Sequence, residues 1–307
     1  MADAIVQAPK TPRRLNMKAS NRLMFFLLLS PALIMVAVFV LYPLCTMVFY
    51  SFFDWNGLGP LGKASLDNYV QTLKPVPENY FWNALKNNGI VIVFSILVQL
   101  PIAFMLAIII SRKNTKLMVF FRAICFLPYV LSEIITGTLW TFIFHPRHGL
   151  VFSIIKGISP GTEYTGLLAS QDTVFIAILI VIFWKYFGLH LIIYIAGFQV
   201  IPTDFYEAAK IDGANGPQIL RHITLPMMGP AIQMSLFFCI IGSLQLFDVV
   251  WAMGQGDPVH AGETVVVFLY KYGIRTFQIG YGAAITVIIF IICLIFNIFY
   301  QKLIKEE

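Results

Sequence analysis

Six stretches of this chain are apolar for longer than a soluble core helix requires, at about residues 23–50, 89–110, 117–144, 172–198, 229–253 and 280–300. A helix crosses the hydrocarbon of a bilayer with about 20 consecutive apolar residues. In that solvent every backbone amide must be satisfied within the chain, which leaves helices as the way for such runs to span. The expected fold class is therefore all-α: a polytopic membrane protein with six transmembrane helices. Composition agrees. The 307 residues are 59% hydrophobic and 12% charged, whereas a soluble surface takes about a quarter charged residues. The first run is too long for a signal-peptide core and lacks a small-x-small cleavage site behind it, so it reads as a retained span.

Positive charge sets the orientation. The 1–22 tail, the basic turn at Arg112, Lys113 and Lys116 with Arg122, the loop 199–228 and the C-terminal end carry thirteen Lys and Arg residues. The alternate flanks, at 51–88, 149–171 and 254–279, carry seven over longer loops. Both termini and the loop 199–228 are thus expected on the cytoplasmic side of the membrane. The net charge of +6 is spent on topology rather than on a basic stripe, so no nucleic-acid partner is expected. The four cysteines, Cys45, Cys125, Cys239 and Cys293, sit in separate apolar runs without metal-ligand spacing and read as free thiols. His145 and His148, beside Pro146, read as a turn.

Between the fourth and fifth runs lies a mixed-polarity island, Tyr206-Glu207-Ala208-Ala209-Lys210-Ile211-Asp212-Gly213-Ala214, then Ile223-Thr224-Leu225-Pro226. Pro202 breaks what precedes it. Asp204 is expected to cap a helix, with Glu207 bonding back in a capping box. Phe205, Ala208, Ala209 and Asp212 share one face at i, i+3, i+4 and i+7. Gly213 ends the helix in the left-handed conformation, and Gly216-Pro217 starts another. Such a helix between two prolines reads as a rigid docking element.

This loop, with Ile201-Pro202 ahead of it, Phe247-Asp248, and the run Glu263-Thr264…Tyr270…Gly280-Tyr281-Gly282-Ala283-Ala284, resembles the permease subunits of binding-protein-dependent ABC importers. The likeness covers roughly residues 20–300 and points to the carbohydrate-uptake branch of maltose-type and glycerol-phosphate-type permeases. It implies a type I (MetI-like) permease bundle, with a tail at 1–22, a permease domain at 23–301 whose coupling loop is 199–228, and a tail at 302–307. Glu207, Ala208, Ala209, Asp212 and Gly213 would insert into a groove of the ABC ATPase subunits. Glu207 has a second reading as the helix cap alone. The implied partners are a second permease subunit in a heterodimer, the ATPase subunits, an extracytoplasmic solute-binding protein and membrane lipid. The chain departs from the family at Gln255-Gly256-Asp257-Pro258, where Gly-Gly-Pro is usual.

No Gly-x-x-x-x-Gly-Lys-Ser/Thr loop is present, so ATP hydrolysis falls to another chain and this one is not expected to be an enzyme. No catalytic residue, cofactor or metal is expected. Polar residues inside the runs need cavities or partners. Ser243, Gln245 and Asp248, beside Phe247 and Trp251, could bind sugar hydroxyls and stack on sugar rings. The competing role is a helix–helix hydrogen bond. Trp184, Lys185 and Tyr186 form a second group, in which Tyr186 and Trp184 could line the path and Lys185 could pair with Glu133 or Asp248. Two rival functions stand beside a carbohydrate permease. One is the same machinery for glycerol phosphate, which needs a cation in the pore. The other is a stand-alone ion-coupled carrier relaying protons through Glu133 and Asp248. The lack of a duplicated half speaks against the latter.

Overall fold

The computed structural model describes residues 19–75, 79–111, 115–159, 161 and 163–305. The basic tail at 1–18, the turn at 112–114 and the chain end at 306–307 lie outside the described residues. Among the described residues the only β pairing is an isolated bridge between Phe53 and Ala64. Everything else regular is helix, as the apolar runs demand. Four helices are long and apolar enough to cross a membrane, and six spans result if each of two sharply bent pairs counts as one.

The N-terminal helix α1 forms a unit by itself up to Phe49, and the chain from Tyr50 onward forms a second. Helix α1 runs through Ala19–Val36, a π-helical stretch Ala37–Leu41 and Tyr42–Tyr50. Its hydroxyls turn back onto its own backbone, with Ser30 donating to the Leu27 carbonyl and Thr46 to that of Tyr42.

In the second unit, α2 is Asp67–Leu73 and α3 is Phe81–Ser111. Helices α4 (Lys116–Val130) and α5 (Glu133–Ile143) are one apolar run bent by 98°. Helix α6 is Leu150–Ile158, and α7 is Gln171–Val200. Then come α8 (Thr203–Ile211), α9 (Gly216–Met227) and α10 (Gly229–Leu244), the last two meeting at 66°. Helices α11 (Asp248–Ala252), α12 (Val265–Ile274) and α13 (Ile279–Lys305) complete the chain.

Prolines explain much of the helical irregularity. The π-helical stretches Ala37–Leu41, Ser95–Gln99 and Leu220–Thr224 each end two residues before a proline, at Pro43, Pro101 and Pro226. Proline lacks an N–H and its ring crowds the carbonyl one turn back. A locally widened turn relieves both while the helix continues. At Pro101 the outcome is a π turn inside one continuous helix, Phe81–Ser111.

Helix α7 is the hub. Its first half packs Val174, Ala177, Ile178, Val181 and Ile182 against Val91, Leu246, Val249, Val250, Met253 and Val267. Its second half packs Leu191, Tyr194 and Ile195 against Ala103, Ala107 and Ile110 of α3 and Met228. Ala103 and Ala107, one turn apart and fully buried, let the two backbones approach closely, the small-residue packing that membrane helices favour. Ile201 is extended ahead of Pro202, which ends α7 because a residue before proline avoids the helical region.

Gly188 of α7 lies against α4 so closely that a Cβ there would sit 2.0 Å from the Cys125 carbonyl oxygen. Both atoms belong to packed backbone, so relief requires the helices to separate. Gly188→Ala is expected to cost about 1–3 kcal/mol. A thermal unfolding midpoint in detergent matching the wild type would refute this.

Candidate functional site

Two apolar runs are interrupted at positions that must be buried, and each interruption strands backbone carbonyls. In the run 117–144, Pro128 removes a donor near the end of α4, and Leu131 and Ser132 are extended. Lys185 of α7 supplies what is missing. Its side chain is only 2% exposed. Its Nζ donates to the carbonyls of Pro128 at 3.2 Å and Tyr129 at 3.1 Å, and also to that of Leu131. An ammonium has three donors and no acceptor, so three carbonyls consume it, and a cation suits a helix C-terminus. Its expected pairing with Glu133 or Asp248 is replaced by this backbone role. On the other side of the same bend, Tyr186 donates to Glu133 Oε1 at 2.7 Å. Adjacent residues of α7 thus hold both ends of the broken span.

The second interruption, Gln245–Phe247, separates α10 from α11 within the run 229–253. Here Asn88 of α3 donates to the Ser243 carbonyl, and its Oδ1 accepts from the Val265 amide at 2.9 Å. Thr264 donates to the Leu246 carbonyl at 2.6 Å. Asn87 reaches the Ala261 and Glu263 carbonyls at 2.9 and 2.8 Å. The polar start of α3, assigned from the sequence to the loop 51–88, is the clamp that fixes this break.

Between the breaks lies a cavity of about 270 Å³, lined by polar groups of Ser95, Gln99, Ser243 and Gln245 and by Tyr129, Tyr186 and His190. His190 is engaged with Ser235, Nδ1 to Oγ at 2.6 Å. Ser243, Gln245 and Tyr186, singled out from the sequence, therefore meet in one place. Trp184 does not line the cavity, since it packs edge-on against Trp140 with ring centroids 5.6 Å apart. Asp248 lies three residues past Gln245, half-buried, with no hydrogen bond or ion pair among the described residues. Beside it Phe247, Trp251 and Tyr270 form an aromatic cluster with centroids 4.7–5.6 Å apart.

At the far end of α7 sits the Glu-Ala-Ala helix, α8. It begins two residues earlier than expected. Pro202 takes the cap position without a side-chain cap, and Asp204 falls inside the first turn. Glu207 is exposed and makes no hydrogen bond among the described residues, so the capping box does not form. The C-terminal stop is as expected. Gly213 has φ +77°, the Ala214 amide reaches the Ala209 carbonyl at 2.9 Å, and the Gly213 amide reaches that of Lys210 at 3.1 Å. This double closure is the Schellman motif. Ala209 and Tyr206 turn inward, whereas Phe205, Glu207, Ala208, Asp212 and Gly213 are exposed. Asn215 and Gln218 form the capping box that starts α9.

Metal-ligand groupings are sparse. His145 Nδ1 accepts from the amides of Arg147 and His148 at 3.2 Å, the geometry of a turn. Asp257, His260 and Glu263 could together ligate an ion. However, the Lys271 ammonium already sits 3.0 Å from Asp257 and 2.7 Å from Glu263. In the same loop Gly256 approaches the Glu263 backbone so closely that a Cβ would lie 2.7 Å from it.

The family described as "Binding-protein-dependent transport system inner membrane component" matches residues 99–306. A probable starch degradation products transport system permease protein of Thermoanaerobacterium thermosulfurigenes is 31% identical, over 94% of this chain and 96% of its own. An arabinooligosaccharides transport system permease protein of Bacillus subtilis is 31% identical, over 91% of this chain and 87% of its own. A chain of a crystal structure of a bacterial ABC transporter involved in import of the acidic polysaccharide alginate superposes with a TM-score of 0.80 at 21% identity. That superposition covers 94% of this chain and 96% of the other.

Proposed function

Since the chain belongs to the family of binding-protein-dependent transport system inner membrane components, we propose that it is one of two permease subunits of an ATP-driven importer of a carbohydrate, an oligosaccharide or glycoside. The observation that carries the cargo is the cavity. Hydroxyls, amides and aromatic rings gather between two interruptions whose carbonyls are satisfied by side chains, and these are the groups that bind sugar hydroxyls and stack on sugar rings. Starch products and arabino-oligosaccharides, named for relatives sharing 31% of residues, belong to the same class of cargo. A phosphorylated cargo would need a cation in the path. Lys185 is consumed by carbonyls, and no other Lys or Arg lines the cavity among the described residues.

The chain crosses the plasma membrane with both termini and α8 in the cytoplasm. The loops 51–88, 149–171 and 254–279 face a solute-binding protein outside. ATP is hydrolysed by separate subunits that grip α8, a nine-residue helix stopped by Pro202 and Gly213, and so able to transmit motion as a rigid body. Glu207, free of any capping duty, is available to that partner together with Ala208, Asp212 and Gly213, whereas Ala209, assigned to the same contact from the sequence, is buried against the bundle.

Two measurements test this. Pull-down of the chain from its native membrane in mild detergent is expected to recover a second six-span permease, a P-loop ATPase and a solute-binding protein. Recovery of the chain alone, with other complexes intact, would overturn the importer reading in favour of a stand-alone carrier. Second, Ala208→Arg places a long cation on the exposed face of α8. The co-purified ATPase is expected to fall about tenfold or more, as for truncation of an interface hot spot, with the permease pair intact. Undiminished ATPase recovery would remove α8 from the contact.

A further inference from the structure

A buried polar end in the cavity, that of Gln99, lacks a partner among the described residues, and it points to what the cavity holds. The Gln99 side chain is 1% exposed. Ser95 Oγ donates to its Oε1 at 3.2 Å, while its Nε2 has no partner among the described residues. Turning the amide over exchanges its two ends but still leaves one orphaned, so the conclusion does not rest on the orientation assigned. Buried amides without partners are rare in folded chains. This one lines a cavity and ends the π-helical stretch Ser95–Gln99, a kind of irregularity that recurs at functional sites.

The surroundings define the ligand chemistry. The other polar groups lining the cavity are the hydroxyls and amides of Ser95, Ser243 and Gln245, with the rings of Tyr129 and Tyr186 and the imidazole of His190, whose Nδ1 is engaged with Ser235. No Asp, Glu, Lys or Arg lines it among the described residues. A carboxylate brought there would lose its water without gaining a cation, which is costly, whereas a hydroxyl finds both donors and acceptors. The volume of about 270 Å³ lies at the lower edge of the roughly 300–1,000 Å³ range of small-molecule sites.

We propose that Gln99 is a specificity-determining contact for an uncharged saccharide, its amide completing the hydrogen bonding of one sugar unit in transit. The cavity excludes uronate-type acidic saccharides. This rests on the carbohydrate-importer reading above, and it adds a residue and a charge class to it.

The test uses cells carrying the complete importer and five labelled probes: maltotriose, arabinotriose, lactose, diacetylchitobiose and a trimannuronate. Wild type is expected to take up at least one neutral probe and not the trimannuronate. Gln99→Met keeps the shape but removes the amide. It is expected to lower the maximal uptake rate about tenfold, the upper range for one hydrogen bond, at an unchanged level of assembled complex. Gln99→Asn retains an amide but withdraws it by one methylene, and a smaller loss in the same direction is expected. Full uptake by both variants overturns the proposal, as does wild-type import of the trimannuronate; either leaves the importer reading intact. Loss of the assembled complex in both variants makes Gln99 a packing residue and also overturns it. Uptake of no saccharide by the wild type, with a non-saccharide solute carried instead, overturns the carbohydrate reading itself.

Discussion

Lys185→Met is expected to cost the permease a large part of its stability, about 3 kcal/mol of the roughly 5–15 kcal/mol that holds a protein folded. Methionine matches the length and flexibility of lysine and tolerates burial, so volume is not the cause. The loss falls on the carbonyls of Pro128, Tyr129 and Leu131, which face Nζ at the end of α4. A buried polar group left without its partner costs about 1–3 kcal/mol. Three are orphaned together where water cannot substitute. Relief from burying an ammonium offsets part of this, leaving a deficit on the order of 3 kcal/mol, about a hundredfold in the folding equilibrium constant. The 98° bend would lose its tie to α7, and Glu133 and Tyr186 would lose their register. Lys185→Arg is not expected to rescue, because a planar guanidinium fork cannot reach three carbonyls arranged around a point charge. Quantifying detergent-stable protein by fluorescence-detected size exclusion checks both variants. Wild-type yield and stability for Lys185→Met would mean that the carbonyls find other partners and that Lys185 is dispensable.

The same residue shows where reading a sequence stops. Lysine in an apolar run suggests a partner of opposite charge, and Glu133 and Asp248 were the available side chains. The actual acceptors are backbone carbonyls, which no side-chain pairing can reveal. They become visible only once the run 117–144 is known to bend. Pro128 was the available sign of that bend, but proline in a membrane helix is equally compatible with a π turn, as Pro43 and Pro101 demonstrate. The Glu-Ala-Ala helix was more legible because its determinants are local. Pro202 and Gly213 bracket nine residues, and the stop at Gly213 depends on backbone groups within five positions. Its start was misplaced by two residues, since Pro202 can occupy the cap position without a side-chain acceptor. In the candidate path, Ser243, Gln245 and Tyr186 were found because polar residues in apolar runs demand explanation. Gln99 satisfies the same criterion, but beside Pro101 it carries no neighbouring polar or aromatic residue to single it out. Trp184 was included for its neighbours in sequence, and helical geometry points it to Trp140 instead.

Asp248→Ala is expected to abolish uptake while the permease assembles normally. Asp248 is half-buried and has no partner among the described residues, so its removal orphans nothing in the chain. It stands beside the cluster of Phe247, Trp251 and Tyr270 and three residues past Gln245, which lines the cavity proposed to carry sugar. A carboxylate accepts hydrogen bonds from two hydroxyls at once, each charge-assisted bond being worth about 1.5–3 kcal/mol. Losing two of them lowers transport by about a hundredfold or more. The competing role, a hydrogen bond between helices, averages about 0.6 kcal/mol, which would change assembly by less than about threefold and uptake no further. Asp248→Asn separates charge from hydrogen bonding. Its amide still accepts from one hydroxyl, so uptake between the alanine variant and wild type is expected. Initial uptake rates, normalised to the assembled complex in the membrane, decide the matter. Wild-type uptake by Asp248→Ala would remove Asp248 from the path. Loss of uptake in step with loss of complex would make it a structural residue. Loss of uptake at full assembly would leave the carboxylate acting on the cargo itself, and the aromatic rings beside it would then be the surface on which a sugar first rests.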